Sequence, residues 1–242
     1  MLGFTSLSEF LLASLIVAIG SALQGSVGFG FALMSAPILA FVDPRLVPGP
    51  LILAVTLLLV LTAIREHQSM DLTGIGWVLL GRVPGTVLVI VLLDAMSERG
   101  ITVGLGVLVL LAVAISLLRF DLPRTPPLLL VAGLISGLMG TSSGLGGPAV
   151  AVLYQNEPGD RVRSTLAGYF LIGAVMSLAA LAYAGRMGRA EATLSVGLLP
   201  GIVVGFLSSR RTAAWLDGGR TRSAVLIVAA IAGAASIARG LF

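Results

Sequence analysis

Gln24-Gly-Ser-Val-Gly-Phe-Gly30 and Gly140-Thr-Ser-Ser-Gly-Leu-Gly-Gly-Pro148 interrupt the two longest uncharged stretches of the chain, residues 10–42 and 125–156. As continuous helices those stretches would each measure about 50 Å, against a hydrocarbon core of about 30 Å. Each must break, tilt steeply or turn back. Glycine weakens a helix and Pro148 removes a backbone donor, so the two quoted motifs are where unwinding is expected.

The surroundings of the motifs are those of a membrane protein. Of 242 residues, 57% are hydrophobic, 11% are charged and a further 31 are glycine; a soluble domain carries roughly 25% charged residues, enough to cover its surface. Apolar segments at 10–42, 46–64, 72–93, 100–118, 125–156, 164–185, 192–209 and 223–238 are bounded by charges. In hydrocarbon the backbone must satisfy its own hydrogen bonds, and no alternating pattern suggests a barrel, so the segments read as helices. The expected fold is an all-α polytopic membrane protein of about eight hydrophobic segments. The first basic residue is Arg45, so the charged start of a cleavable signal peptide is missing and the first apolar stretch is expected to stay.

The two halves resemble each other at an offset of 116 residues. That offset pairs Ser26 with Ser142, Gly28 with Gly144, Gly30 with Gly146, Arg45 with Arg161, Gly81 with Gly197, Pro84 with Pro200 and Gly85 with Gly201. An internal duplication follows, with two homologous four-element repeats at 1–119 and 128–242 and a Pro-rich linker at 120–127. If the two long elements cross once, the repeats are parallel and the arginines divide six to eight between the two sides, Arg82 aside. If those elements are re-entrant, the repeats are inverted and the division is five to nine. The positive-inside rule slightly favours the inverted arrangement, with the N-terminus outside.

Free N–H groups at the starts of broken helices attract anions. Paired broken helices near the midplane of two repeats are the pattern of a transporter site. Candidate binding residues are therefore Gln24, Ser26, Gly28 and Gly30 in one half, and Thr141, Ser142, Ser143, Gly144, Gly146 and Gly147 in the other. Arg82 lies midway along an apolar segment, where an arginine costs about 2.5–3.5 kcal/mol and requires a partner: carbonyls, water or an anionic substrate. Its counterpart in the second half is Leu198. Arg163 opens a segment, an unfavourable helix end for a cation, and joins the candidates. Arg45 and Arg161 read as topology anchors and Tyr154 as an interface aromatic. Gly81, Gly85, Gly197, Gly201 and Gly205 read as close-packing positions between helices.

Other chemistries are excluded or weak. All 15 basic residues are arginine, without the clustered basic surface of a nucleic-acid reader. With no cysteine and one histidine, neither a metal nor another cofactor is called for. Gly140-Thr-Ser142-Ser-Gly144 matches a nucleophile elbow, but it lies in a membrane segment without a histidine partner, and an enzyme is not expected. Gly28-Phe-Gly30 lacks the strand–turn–helix setting of a dinucleotide fingerprint. Every acidic residue falls at a segment end, so no proton relay is visible. A non-transporting membrane scaffold is the alternative reading.

The run Gln24-Gly-Ser-Val-Gly-Phe-Gly-Phe-Ala-Leu33 followed by Pro37, the Gly137–Gly147 stretch ending in Gly-Gly-Pro148, and Arg163-Ser-Thr-Leu166 resemble the sulfite exporter TauE/SafE family of membrane permeases. The resemblance implies a multi-pass protein of the inner (plasma) membrane that moves sulfite, sulfoacetate or a related organosulfonate. It also implies that the two glycine-rich breaks hold the anion. Many members have three consecutive glycines in the first half, where this chain has Gly28-Phe-Gly30. The partners expected are a small anionic substrate and membrane lipid; a homo-oligomer is left open.

Overall fold

A computed structural model describes residues 3–28, 30–66, 70–117, 122–216 and 220–241. Ten α-helices and a single 3-10 turn, with no strand, make up the described residues: α1 (Leu7–Val27), α2 (Phe31–Val42), α3 (Gly49–Glu66), α4 (Leu72–Ala95), α5 (Glu98–Leu117), α6 (Pro126–Ser143), α7 (Gly147–Tyr154), α8 (Gly159–Tyr183), α9 (Arg189–Leu216) and α10 (Arg220–Leu241). Their starts follow from the sequence. Ser6 accepts the Glu9 N–H ahead of α1, Asp71 accepts that of Gly74 ahead of α4, and Pro126 occupies the first turn of α6, where its missing donor costs nothing.

Six of these helices are long and apolar enough to cross a membrane. Leu7, Leu11 and Leu15 on α1, and Leu80, Val83, Val87 and Val91 on α4, form stripes of exposed hydrophobic side chains, a surface suited to lipid and not to water.

The count of eight segments becomes ten helices because both long segments break at the glycine motifs. Gly28 ends α1 in the left-handed region (φ 93°), Gly30 precedes α2 at φ 113°, and Gly144 ends α6 at φ 76°. A side chain at these φ values would be strained. The chain then turns back on itself. Gly146 lies beside Ser136, whose hydroxyl donates to the Gly146 carbonyl at 2.6 Å. The ends meet as well: Arg124, before α6, pairs with Glu157, after α7, at 2.5 Å. In the first segment Gly20 on α1 faces Phe31 and Ser35 on α2, and Asp43, after α2, faces Glu9 at the start of α1. At 12 and 8 residues, α2 and α7 measure about 18 and 12 Å and return only part of the way across. The expected linker at 120–127 lies partly outside the described residues, and Thr125 already precedes α6.

The glycines of the apolar segments set the packing. A Cβ on Gly81 would meet the Leu130 carbonyl and one on Gly85 that of Leu134, so α4 and α6 run alongside each other in the same direction. Gly201 and Gly205 on α9 sit in the same way against the Ser14 and Ala18 carbonyls of α1. By contrast α5 and α10 run in opposite directions, with Gly106 against Ile237 and Val109 against Gly233. Tyr154 is a correction to the expected interface aromatic: it is fully buried, and its hydroxyl donates to Asp71 at 3.1 Å.

Leucine at Gly85 has no room in the α4–α6 seam. We expect Gly85→Leu to destabilise the protein by about 1–3 kcal/mol or more, whereas Gly76→Ala, with nothing within 4 Å of the added Cβ, should be neutral or slightly stabilising. Thermal unfolding in detergent compares the two.

Candidate functional site

Both breaks line one cavity of about 60 Å³, room for a few waters or one small oxyanion. Gln24, Gly30 and Phe31 line it from the first break, and Gly144, Gly146, Gly147 and Pro148 from the second. Ile52, Val55 and Leu59 of α3 supply an apolar wall, with Phe170 and Ala174 of α8 beside them, while Arg82 and Ser177 bring polar groups.

Gln24 comes from the last turn of α1. Its Oε1 accepts the first N–H of α2, that of Phe31, at 3.3 Å. The amide therefore caps the helix start that sequence reasoning left free, and its NH2 group makes no bond to the described residues. The second helix start has no such cap: Gly146 precedes α7 and carries no side chain.

Arg82 is 3% exposed and sits on α4 at the level of the second break. Its Nη1 donates to Tyr169 Oη at 2.9 Å and to Ser136 Oγ at 3.2 Å. Its Nη2 donates to the Gly173 carbonyl at 3.0 Å and to Ser177 Oγ at 2.9 Å. The Tyr169 hydroxyl donates a hydrogen bond to Ser136 Oγ at 2.7 Å, and Ser136 donates onward to the Gly146 carbonyl. Ser177 shares a bond of 2.8 Å with Thr141, which contacts Thr86 in turn. A chain of hydroxyls and carbonyls thus fixes the guanidinium to α4, α6, α8 and the second break. Its Nε–H finds no partner, and among the described residues no carboxylate pairs with it. The positive charge is hydrogen-bonded but not neutralised.

Three glycines make room for this group. A Cβ on Gly140 would lie 2.7 Å from Arg82 Nη2, one on Gly173 2.7 Å from Cζ, and one on Gly146 3.2 Å from Nη1. The Arg82 side chain also faces the Tyr169 ring, with Cζ 5.5 Å from its centroid.

Of the residues singled out in the sequence, the cavity gathers Gln24, Gly30, Arg82, Gly144, Gly146 and Gly147. Thr141 stands one layer behind, in the Arg82 network. The remaining candidates lie off the cavity. Ser26 donates to Ala22 O at 2.8 Å and Ser209 O at 3.1 Å, turned toward α9. Ser142 and Ser143 each return a hydroxyl to their own helix, to Leu138 O and Met139 O at 2.7 and 2.8 Å. Gly28 is packed against Arg163 at the start of α8 and lines no part of the cavity. Sequence reasoning missed Ser136, Tyr169, Gly173 and Ser177. The last three recur every fourth position along α8, a polar-and-glycine stripe in the mostly apolar part of the helix that follows Thr165, and that spacing was the available signal.

A family model described as "Sulfite exporter TauE/SafE" matches residues 12–236. No curated protein matches the chain, and no solved structure does.

Tyr169→Phe and Ser177→Ala each take a partner from a buried guanidinium and should cost about 1–3 kcal/mol of stability. In an Arg82→Met background both changes should cost less. Equal costs in the two backgrounds, measured by thermal unfolding as a double-mutant cycle, would place the stabilisation outside the Arg82 network.

Proposed function

The chain belongs to the sulfite exporter TauE/SafE family of membrane transporters, and from that membership we propose that it is a secondary transporter of a small sulfur-containing anion such as sulfite, sulfoacetate or another organosulfonate. The observation that carries the reading is the Arg82 charge, buried on the wall of a cavity where two helix breaks meet and paired with no carboxylate among the described residues. A buried cation of this kind favours an anion beside it, because burial strengthens their attraction while a lone charge remains costly. The Gln24 NH2, which has no bond to the described residues, and the uncapped start of α7 are the donors that replace the anion's water, while Arg82, whose four terminal N–H groups are engaged within the protein, contributes positive potential. The apolar wall of Ile52, Val55, Leu59 and Phe170 suits the carbon end of an organosulfonate.

Alternating access between two inverted repeats is the mechanism we infer. Renaming α1–α5 as α6–α10, and the reverse, leaves the main packed pairs unchanged: α1 with α9 becomes α6 with α4, while α3 with α8 and α5 with α10 map onto themselves. The opposite directions of α5 and α10 support an exchange axis lying in the membrane plane, since an axis along the membrane normal would leave equivalent helices parallel. In that arrangement the two hairpins enter from opposite faces, and the anion sits where their tips pass. The helix directions group Arg45, Arg99, Arg186, Arg189 and Arg239 at one face and Arg65, Arg124, Arg161 and Arg163 at the other. The end of α9 and the start of α10 add Arg210, Arg211, Arg220 and Arg222 to the second face, while Arg119 lies outside the described residues; this distribution supports the re-entrant reading, with the richer face inside and an inner-membrane location.

Purified protein in vesicles should take up sulfite or an organosulfonate above protein-free vesicles, and Arg82→Gln should reduce the rate at least ~10-fold, as about 1.4 kcal/mol of lost electrostatic attraction would, in a protein that still folds. Undiminished uptake by a folded Arg82→Gln protein would reduce Arg82 to a structural residue. No uptake of any sulfur oxyanion, with or without a pH gradient, would sink the transporter reading.

A further inference from the structure

At the face that carries Asp94 and Arg186, a second recess of about 220 Å³ opens between the ends of α2, α5 and α10. Its lining shares no residue with the central cavity. Its floor is apolar, built from Phe41, Ile101 and Leu105, and its rim carries two cations, Arg99 and Arg239. Arg99 is the second residue of α5 and Arg239 lies in the last turn of α10, so both stand at helix ends. Arg239 is held in place: it donates to the Phe41 carbonyl at 3.3 Å and covers the Phe41 ring, with Cζ 5.5 Å from the centroid. Phe41 itself is 57% exposed.

Charge distinguishes this recess from its surroundings. At the same face Arg45 is paired with Asp43 at 2.7 Å and Arg186 with Asp94 at 3.1 Å. Among the described residues neither Arg99 nor Arg239 has a carboxylate partner, and none of those lining the recess is a carboxylate. Two guanidiniums with no carboxylate partner among the described residues, above an apolar floor, match an amphiphile in shape and in charge.

We propose that this recess is a binding site for an anionic phospholipid, its phosphate held between Arg99 and Arg239 and an acyl chain laid along Ile101 and Leu105. The apolar floor is what selects a lipid over soluble phosphate. This site is independent of the transporter reading, since none of its residues belongs to the anion cavity.

Native mass spectrometry of the detergent-purified protein, titrated separately with phosphatidylglycerol and phosphatidylcholine, counts the retained lipids. One phosphatidylglycerol should be held at least ten times more tightly than phosphatidylcholine. Arg99→Gln combined with Arg239→Gln should abolish that preference, whereas Arg189→Gln, at the same face but outside the recess, should keep it. Leu105→Trp, which fills the floor and leaves both charges, should weaken phosphatidylglycerol to the same degree, so the site is tested even if the double variant folds poorly. Equal retention of the two lipids, or an unchanged preference in the folded double variant or in Leu105→Trp, would overturn the proposal. So would inorganic phosphate raising the unfolding temperature as much as phosphatidylglycerol does.

Discussion

Backbone polar groups inside a bilayer must find partners within the protein, and the two interruptions of helix in this chain are built around that requirement. At each break glycine adopts a left-handed conformation, which returns its N–H to the last turn of the helix it ends: Gly28 to Gln24 O at 2.7 Å and Gly144 to Gly140 O at 2.9 Å. The two halves then treat the next helix start differently. Gln24 covers the first N–H of α2 with its amide, while at α7 the space beside Gly140 and Gly146 is taken by the Arg82 guanidinium. Broken backbone at this depth also needs protein around it, and α3 and α8 supply it, placing apolar side chains on both sides of the cavity. The glycine seams of α4 with α6 and of α1 with α9 bring the remaining helices close enough to close the bundle.

What the sequence made legible was whatever depends on chain length, composition or local conformation. A 33-residue uncharged stretch is too long for one span wherever it occurs, so the breaks could be placed before any tertiary contact was known. Gly81, Gly85, Gly201 and Gly205 could be read as packing positions because only glycine lets two helix backbones approach at a regular spacing, and each of them does meet a carbonyl of its neighbour. Arg82 stood out because no other charge lies so far inside a span.

Partnerships across helices were not legible. Ser26, Ser142 and Ser143 attract attention because they sit in the break motifs, yet a serine within a helix most readily returns its hydroxyl to a carbonyl of the preceding turn, and all three do so. Ser136, Tyr169 and Ser177 lie outside those motifs, in helices that the hydrophobic pattern treats as ordinary spans. Their role depends on α4, α6 and α8 facing one another, which no local pattern specifies. Tyr154 was misread for a related reason: its position at the end of a segment suggested an interface, whereas the fold buries it against Asp71, under the Arg124 guanidinium.

The polar network around Arg82 bears on the choice between a structural and a functional arginine. At the offset of 116, Arg82 faces Leu198, Thr86 faces Ile202, Ser136 faces Gly20, Thr141 faces Gly25, Tyr169 faces Leu53 and Ser177 faces Leu61. The close contacts of α4 and α9 match one turn further on, and that shift puts Ile202 opposite Arg82, which is apolar as well. Every polar member of the network is thus replaced by an apolar residue or glycine in the other half. The first half nevertheless builds the same kind of hairpin, with a left-handed glycine, a returning short helix and a buried core around Leu198 and Ile202. A buried cation is therefore not something this architecture needs in order to fold. Burying a charge without a counter-ion is costly, and an aliphatic residue performs the packing role in the half that lacks it, so the asymmetry is best accounted for by a negatively charged occupant of the cavity.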